Sequence, residues 1–455
     1  MKTRYLFGIV CCTLIIIVLT GCEKFLSVKS DGKLLIPKSV SDLQGILDDV
    51  TQMNLARTPS YGEASSDDIF YPPNLIDGGS EIARNIYSWK KFEYRYPNEW
   101  GTAYLPIYNA NLCLEAIADV ERNANNAANW DNVKGSALFF RSFYFYLLTT
   151  QFGAGYGDAT ADQDLGIVLR LSSDFNIASK RSSVRQSLIQ SIADAKEAAE
   201  LLPNEPLVKF RPSKAAAFGQ LARIYLYMHD YVNAKHYADE CLRIKSALMD
   251  YNNDPEVLGL DLTLPFKRFN KETIFHAEMF AGFSIHIPSN ARINTDLYSS
   301  YVPDDLRKRA FFRANGAFQQ FKGSYTGTSN LFSGIAVDEV YLIRAECRAK
   351  LGDLTGSMDD LNALLIKRWK NTAVFVPRVA QNQNDAVIEI LKERRKELLM
   401  RGLRWADIKR LNKEGAEIRL QRVLNGITYY LEPNSPFYAL PLPIDIIEIA
   451  ELQQN

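Results

Sequence analysis

Histidine is scarce in this chain, with four in 455 residues, and cysteine is little commoner, with six. His229, His236, His276 and His286 include no pair one helical turn apart around a glutamate, which excludes a zinc-protease helix of that spacing. Neither a Gly-x-Ser-x-Gly elbow nor a phosphate loop occurs. The sequence is therefore read as that of a binding protein, not an enzyme, without cofactor or metal. No charge of one sign dominates either, since 53 Lys and Arg face 53 Asp and Glu. That balance gives no electrostatic case for nucleic acid as a partner. After the first twenty residues no apolar run is long enough to span a bilayer. Cys113, Cys241 and Cys347, widely spaced and odd in number, read as small core residues in apolar helices and not as a disulfide or metal set.

What is present begins at the N-terminus. Lys2 and Arg4 precede an apolar run from Tyr5 to Leu19, which closes on Leu19-Thr20-Gly21-Cys22. A basic start, a short apolar stretch and small residues before a cut are the layout of a secretory signal. The cysteine after Leu-Thr-Gly resembles that of a bacterial lipoprotein signal. Residues 1–21 would then be removed and Cys22 lipidated, anchoring the chain to a membrane. Acyl chains contribute about 0.8 kcal/mol per buried methylene, so two or more anchor stably.

The body reads as mainly α. Residues 133–152 are apolar all round, which marks a buried helix. Residues 103–121, 184–202, 213–228, 231–245, 337–351, 355–370 and 384–401 carry helical apolar spacing, and Ser213 is a plausible N-cap. Phe218, Leu221, Ala222, Tyr225, Ala234, Ala238 and Cys241 follow tetratricopeptide spacing. Tyr341, Ala345, Ser357, Leu361 and Leu364 repeat it more loosely. Small residues at these steps let paired helices approach closely and stack into a superhelix. The expected scaffold covers approximately 102–152, 183–246 and 337–410.

Between these segments the composition changes. Approximately 56–101 and 247–335 hold prolines, a few short β-like runs such as Thr273-Ile-Phe-His276, and many aromatics. Long irregular loops on a rigid frame are where binding residues concentrate. A third segment, 153–182, includes Asp158, Asp162 and Asp164, read as a solvated acidic loop because a calcium loop needs more oxygen ligands.

Five motifs stand in order along the chain: Cys22-Glu23-Lys24-Phe25-Leu26; Gly135 through Leu147 with Phe152-Gly153; Glu339-Val-Tyr341-Leu342-Ile-Arg344-Ala345-Glu346; Glu393-Arg394-Arg395-Lys396-Glu397 with Arg404-Trp405-Ala-Asp407; and Tyr438-Ala-Leu440-Pro441. They resemble the motifs of the SusD/RagB family of Bacteroidetes outer-membrane nutrient-binding lipoproteins. In order they span almost the whole mature chain. The usual proline-led strand after Phe152-Gly153 is replaced by Gly155-Tyr156-Gly157-Asp158. The resemblance implies one SusD-like domain over 22–455, cell-surface exposure on the outer membrane, and docking of the helical half on a TonB-dependent transporter, SusC-like, to which a glycan is delivered.

Arg404, Asp407 and Arg410 fall on one helical face, with Glu393 and Glu397 on the preceding helix, and read as an ion-paired staple around a buried Trp405. Sugar rings present C–H faces to aromatics and hydroxyls to polar rims. Trp89, Tyr94, Tyr96, Trp100, Asn294, Tyr298 and Tyr301 are the candidate ligand contacts, with Asn98, Asn290, Arg292 and Asp296 at the rim. Trp89 and Trp100 equally fit plugs between loops and helices. Two other functions stay open: the same architecture carrying peptides or another nutrient, and a scaffold with no small ligand.

Overall fold

Helices begin where the sequence supplies caps. In the computed structural model, which describes residues 37, 39–282 and 286–455, Ser213 accepts from Ala216 N at 3.2 Å and opens the helix Lys214–Tyr227. Ser183 and Gln186 form a reciprocal capping box ahead of Val184–Leu201. Residues Ser39–Asn455 form one compact unit. The signal segment, Cys22 and the Phe25-Leu26 step lie outside the described residues.

The frame consists of α1 (Glu99–Ala118), α2 (Ala127–Phe152), α3 (Val184–Leu201), α4 (Lys214–Tyr227), α5 (Tyr231–Ile244), α6 (Val337–Lys350), α7 (Leu354–Leu365), α8 (Gln383–Glu397) and α9 (Arg404–Lys413). Each of α1 to α7 packs on the next, and α8 packs on both α6 and α7. The insertion between α5 and α6 therefore loops out without breaking the stack. Close approach follows from the small residues: Ala222, Ala234, Ala238 and Cys241 are fully buried. A Cβ on Gly219 would stand 2.9 Å from Ile335 Cγ2, so only glycine fits there. From Val133 onward α2 is nearly all buried, as its composition requires. Cys113, Cys241 and Cys347 are free and buried.

Two helices end earlier than the spacing suggests. α7 stops at Leu365 and α8 at Glu397. After α8, Met400 and Gly402 take left-handed φ values of 60° and 75°, which turn the chain into α9.

The strands are short antiparallel pairs. Ile69–Phe70 pairs with Arg292–Ile293 and so ties the two loop-rich segments together. Thr273–Phe275 pairs with Ile335–Ala336. Leu420–Leu424 and Ile427–Leu431 form a hairpin in which Asn425 and Gly426, at φ 51° and 75°, make the two-residue turn.

Candidate functional site

Buried charge organises the loop half. Arg307 is 2% exposed at its side chain and donates to Asp305, Glu393 and Glu397 at 2.7, 2.6 and 3.0 Å. Arg368 reaches Glu272 and Glu397, both at 2.8 Å. Lys396 meets Asp305 and Glu393 at 3.1 and 3.0 Å. Asp407 joins Arg394 at 2.9 Å to Arg410 at 2.8 Å, and Arg410 runs on to Glu346. Trp405 is fully buried beside Tyr438, with ring centroids 4.7 Å apart. The staple expected at Asp407 and Arg410 is thus present. Arg404 departs from it and pairs across the fold with Asp67 at 2.7 Å. Glu272, Asp338 and Glu397 bring three carboxylates together. Their charge is met by Arg368, Arg401 and Arg307, and Tyr325 donates to Glu272 at 2.7 Å.

Glu63 lies beside this network. Its Oε2 accepts from Gly402 N at 2.8 Å, while its buried Oε1 has no partner among the described residues. Burial, reinforced by Asp68 and Asp67, pushes the Glu63 carboxyl up to about 8. The folded chain therefore keeps a proton that the unfolded chain sheds near its ordinary value of about 4.3. Stability falls as pH rises through this window, up to the folded value. Glu63→Gln is expected to flatten the decline in melting temperature between about pH 5 and about pH 8. Equal declines in variant and wild type would contradict that assignment.

Above the network opens a cleft of about 580 Å³. Its wall is fixed by backbone pairing: Leu306 N donates to Arg368 O at 2.8 Å and Lys370 N to Asp304 O at 2.9 Å, which holds Trp369 between them. Asn362 continues the wall by gripping both backbone polar groups of Arg378, at 2.8 and 2.7 Å. Trp369 and Phe375 stand edge to face, with centroids 5.9 Å apart. The indole Nε1 of Trp369 has no hydrogen-bond partner among the described residues. Across the cleft, the one-turn helix Thr295–Ser299 brings Asp296 and Ser300 to the rim, both exposed. From α7's side and α8, Arg378 and Lys392 share one carboxylate, Glu389, at 3.1 and 3.9 Å. Arg307, Arg368, Glu393 and Lys396 form the floor.

The sequence candidates divide sharply. Trp89 is buried, donates to Ser65 O at 3.0 Å and carries Arg422 4.8 Å from its ring. Tyr94 is buried and donates to Pro441 O at 2.8 Å. Trp100 sits between Tyr104 and Phe152, at 4.8 and 5.0 Å. Tyr301 is fully buried and donates to Lys396 O at 2.7 Å. These four rings are packing elements with no face open to a ligand, and for them the reading from the sequence is corrected. Asn294 is spent as a cap, accepting from Asp296 N and Leu297 N at 2.9 and 3.1 Å. Asn98 caps α1 and Arg292 is buried on backbone carbonyls. Tyr96 is 76% exposed but stands beside Asp445, away from the cleft lining. Tyr298 is half-buried, with Lys308 4.8 Å above its ring and Phe312 edge-on. Of the expected rim only Asp296 lines the cleft. Arg185 pairs with Asp158 and Asp162, and Asp164 accepts from Thr160, so the acidic loop is tied internally.

Trp369 and Phe375 were not singled out by sequence. The signal was there: Asn371-Thr372 and Pro377 interrupt helical spacing after Leu365.

A family model described as starch-binding and associating with the outer membrane matches residues 24–226, and the SusD family model matches 306–439. The chain belongs to the SusD/RagB family. Its fold is the SusD fold. A SusD superfamily protein from Bacteroides thetaiotaomicron superposes with a TM-score of 0.74 at 20% identity, covering 92% of this chain and 99% of the other. One from Bacteroides vulgatus gives 0.73 at 22% identity, over 92% and 99%. A SusD-like carbohydrate binding protein from Bacteroides vulgatus gives 0.67 at 22% identity, over 90% and 96%. No curated protein matches the chain. Family members of the SusD type are associated with the outer membrane, and among the described residues of this one no helix is long and apolar enough to cross it.

Proposed function

We propose that this SusD/RagB protein is a surface-exposed, lipid-anchored outer-membrane protein that binds a nutrient glycan in the Trp369 cleft and passes it to a SusC-like TonB-dependent transporter. One observation carries the reading: an aromatic wall of the half-buried rings Trp369 and Phe375 faces a rim of hydroxyl and charged groups. A sugar ring lies its C–H face on such a wall and spends its hydroxyls on such a rim. The volume of about 580 Å³ accommodates a short oligosaccharide. The carbohydrate-binding description of a structural relative supports the ligand class. The stacked helices α1 to α8 supply a rigid surface for the transporter.

Calorimetric titration of the full chain in detergent with neutral oligosaccharides and with peptides tests the ligand class. Oligosaccharide binding that varies little with salt is expected, because stacking and neutral hydrogen bonds carry it. Binding to peptides alone would replace the glycan reading with the peptide one. Anchoring is tested separately. Cys22→Ala is expected to abolish labelling by a radioactive fatty acid, and continued labelling of that variant would refute lipidation at Cys22.

A further inference from the structure

A second cleft, of about 410 Å³, lies between the end of α2, α9 and the turn Asn434–Tyr438. We propose that it binds a small oxyanion, the carboxylate of a sugar acid or a sulfate or phosphate group, between Lys409 and Lys413.

The observation is uncompensated positive charge. Lys409 is 2% exposed, and its Nζ donates to Thr150 O at 2.8 Å and Gly153 O at 2.6 Å. An ammonium has three donors, so one remains. Among the described residues no carboxylate stands within 4.0 Å of either lysine's ammonium. Lys396, comparably buried, has both Asp305 and Glu393 at 3.1 and 3.0 Å. Burial, with the charge of Lys413 added, pushes the Lys409 ammonium down to about 7.

The carbonyl end of α2 accounts for the position of Lys409, since a helix C-terminus attracts a cation. It does not account for Lys413, one turn further along the same wall, nor for the space over both. Like charges four residues apart on a helix repel. One glycine eases the fit of the second lysine: a Cβ on Gly155 would stand 3.2 Å from Lys413 Cε. Asp164 also lines the cleft and accepts from the Thr160 hydroxyl at 2.6 Å, but its carboxylate stands beyond 4.0 Å from both ammonium groups. Ser435 accepts from Phe437 N and keeps its own proton to donate. An oxyanion would take the third Lys409 proton, the Lys413 ammonium and that hydroxyl as charge-assisted hydrogen bonds. The inference does not depend on the glycan reading, because none of these groups lines the Trp369 cleft.

The test is calorimetry of the full chain in detergent at low ionic strength with sodium glucuronate, sodium sulfate and sodium phosphate. Saturable binding of at least one is expected, and which one binds identifies the anion. Lys413 is exposed, so Lys413→Ala should fold as the wild type does, which melting temperature checks. The variant should bind that anion about tenfold more weakly, the effect of losing one charge-assisted hydrogen bond. Binding of neutral oligosaccharide should be unchanged in it. No binding of any of the three anions to the wild type would overturn the proposal, as would equal affinity in Lys413→Ala.

Discussion

Asp407→Ala is expected to destabilise the protein by about 3–5 kcal/mol, the usual cost of removing one partner of a buried ion pair. Asp407 bridges Arg394 at 2.9 Å and Arg410 at 2.8 Å. Arg410 keeps Glu346 when Asp407 is lost. Arg394 keeps no carboxylate among the described residues, and one of its Nη atoms is already without a partner. The variant therefore leaves a guanidinium, 4% exposed, with its charge unanswered. Burial alone would raise the Asp407 carboxyl, but Arg394 and Arg410 outweigh it and hold the group at about 2. Its contribution is present above the unfolded value of about 3.9 and is lost as pH falls toward 2. Asp407→Asn keeps the shape and should cost less. Chemical denaturation at neutral pH measures both variants. An unchanged midpoint in Asp407→Ala would mean that α8 and α9 are held by packing alone.

The frame was legible because its determinants are local. Ser213 and the Ser183–Gln186 box mark helix starts within four residues of sequence. Ala222, Ala234, Ala238 and Cys241 advertise close helix contact by size alone. The i,i+3 pair of Asp407 with Arg410 is likewise visible in spacing. The hairpin at Asn425-Gly426 had a local signal too, a turn dipeptide between alternating apolar residues, and it escaped notice.

The cleft was not legible because its determinants are distant. Whether a loop aromatic is buried depends on what packs over it. Tyr94 is closed by Pro441 and Trp89 by Arg422, both more than 300 residues away in sequence. Composition counts such rings but does not separate core from surface. Arg368 falls within the helical spacing of 355–370, yet Glu272 and Glu397 claim its guanidinium and Leu306 pairs its carbonyl. Those long-range bonds end α7 at Leu365 and turn Trp369 toward the cleft.

Trp369→Ala is expected to weaken oligosaccharide binding by about 2 kcal/mol, roughly thirtyfold in affinity, as for a buried aromatic anchor. The half-buried indole belongs to the cleft wall, and its backbone position is held by the flanking Arg368 and Lys370, whose carbonyl and amide pair with Leu306 N and Asp304 O. The melting temperature should accordingly change little. Tyr301→Ala should behave in the opposite way, because that ring lies in the core and its hydroxyl holds the end of α8 through Lys396 O at 2.7 Å. Calorimetric titration of wild type and Trp369→Ala with the same oligosaccharide tests the glycan site most directly. A thirtyfold loss with the fold intact is the predicted result, and unchanged affinity in Trp369→Ala would contradict it.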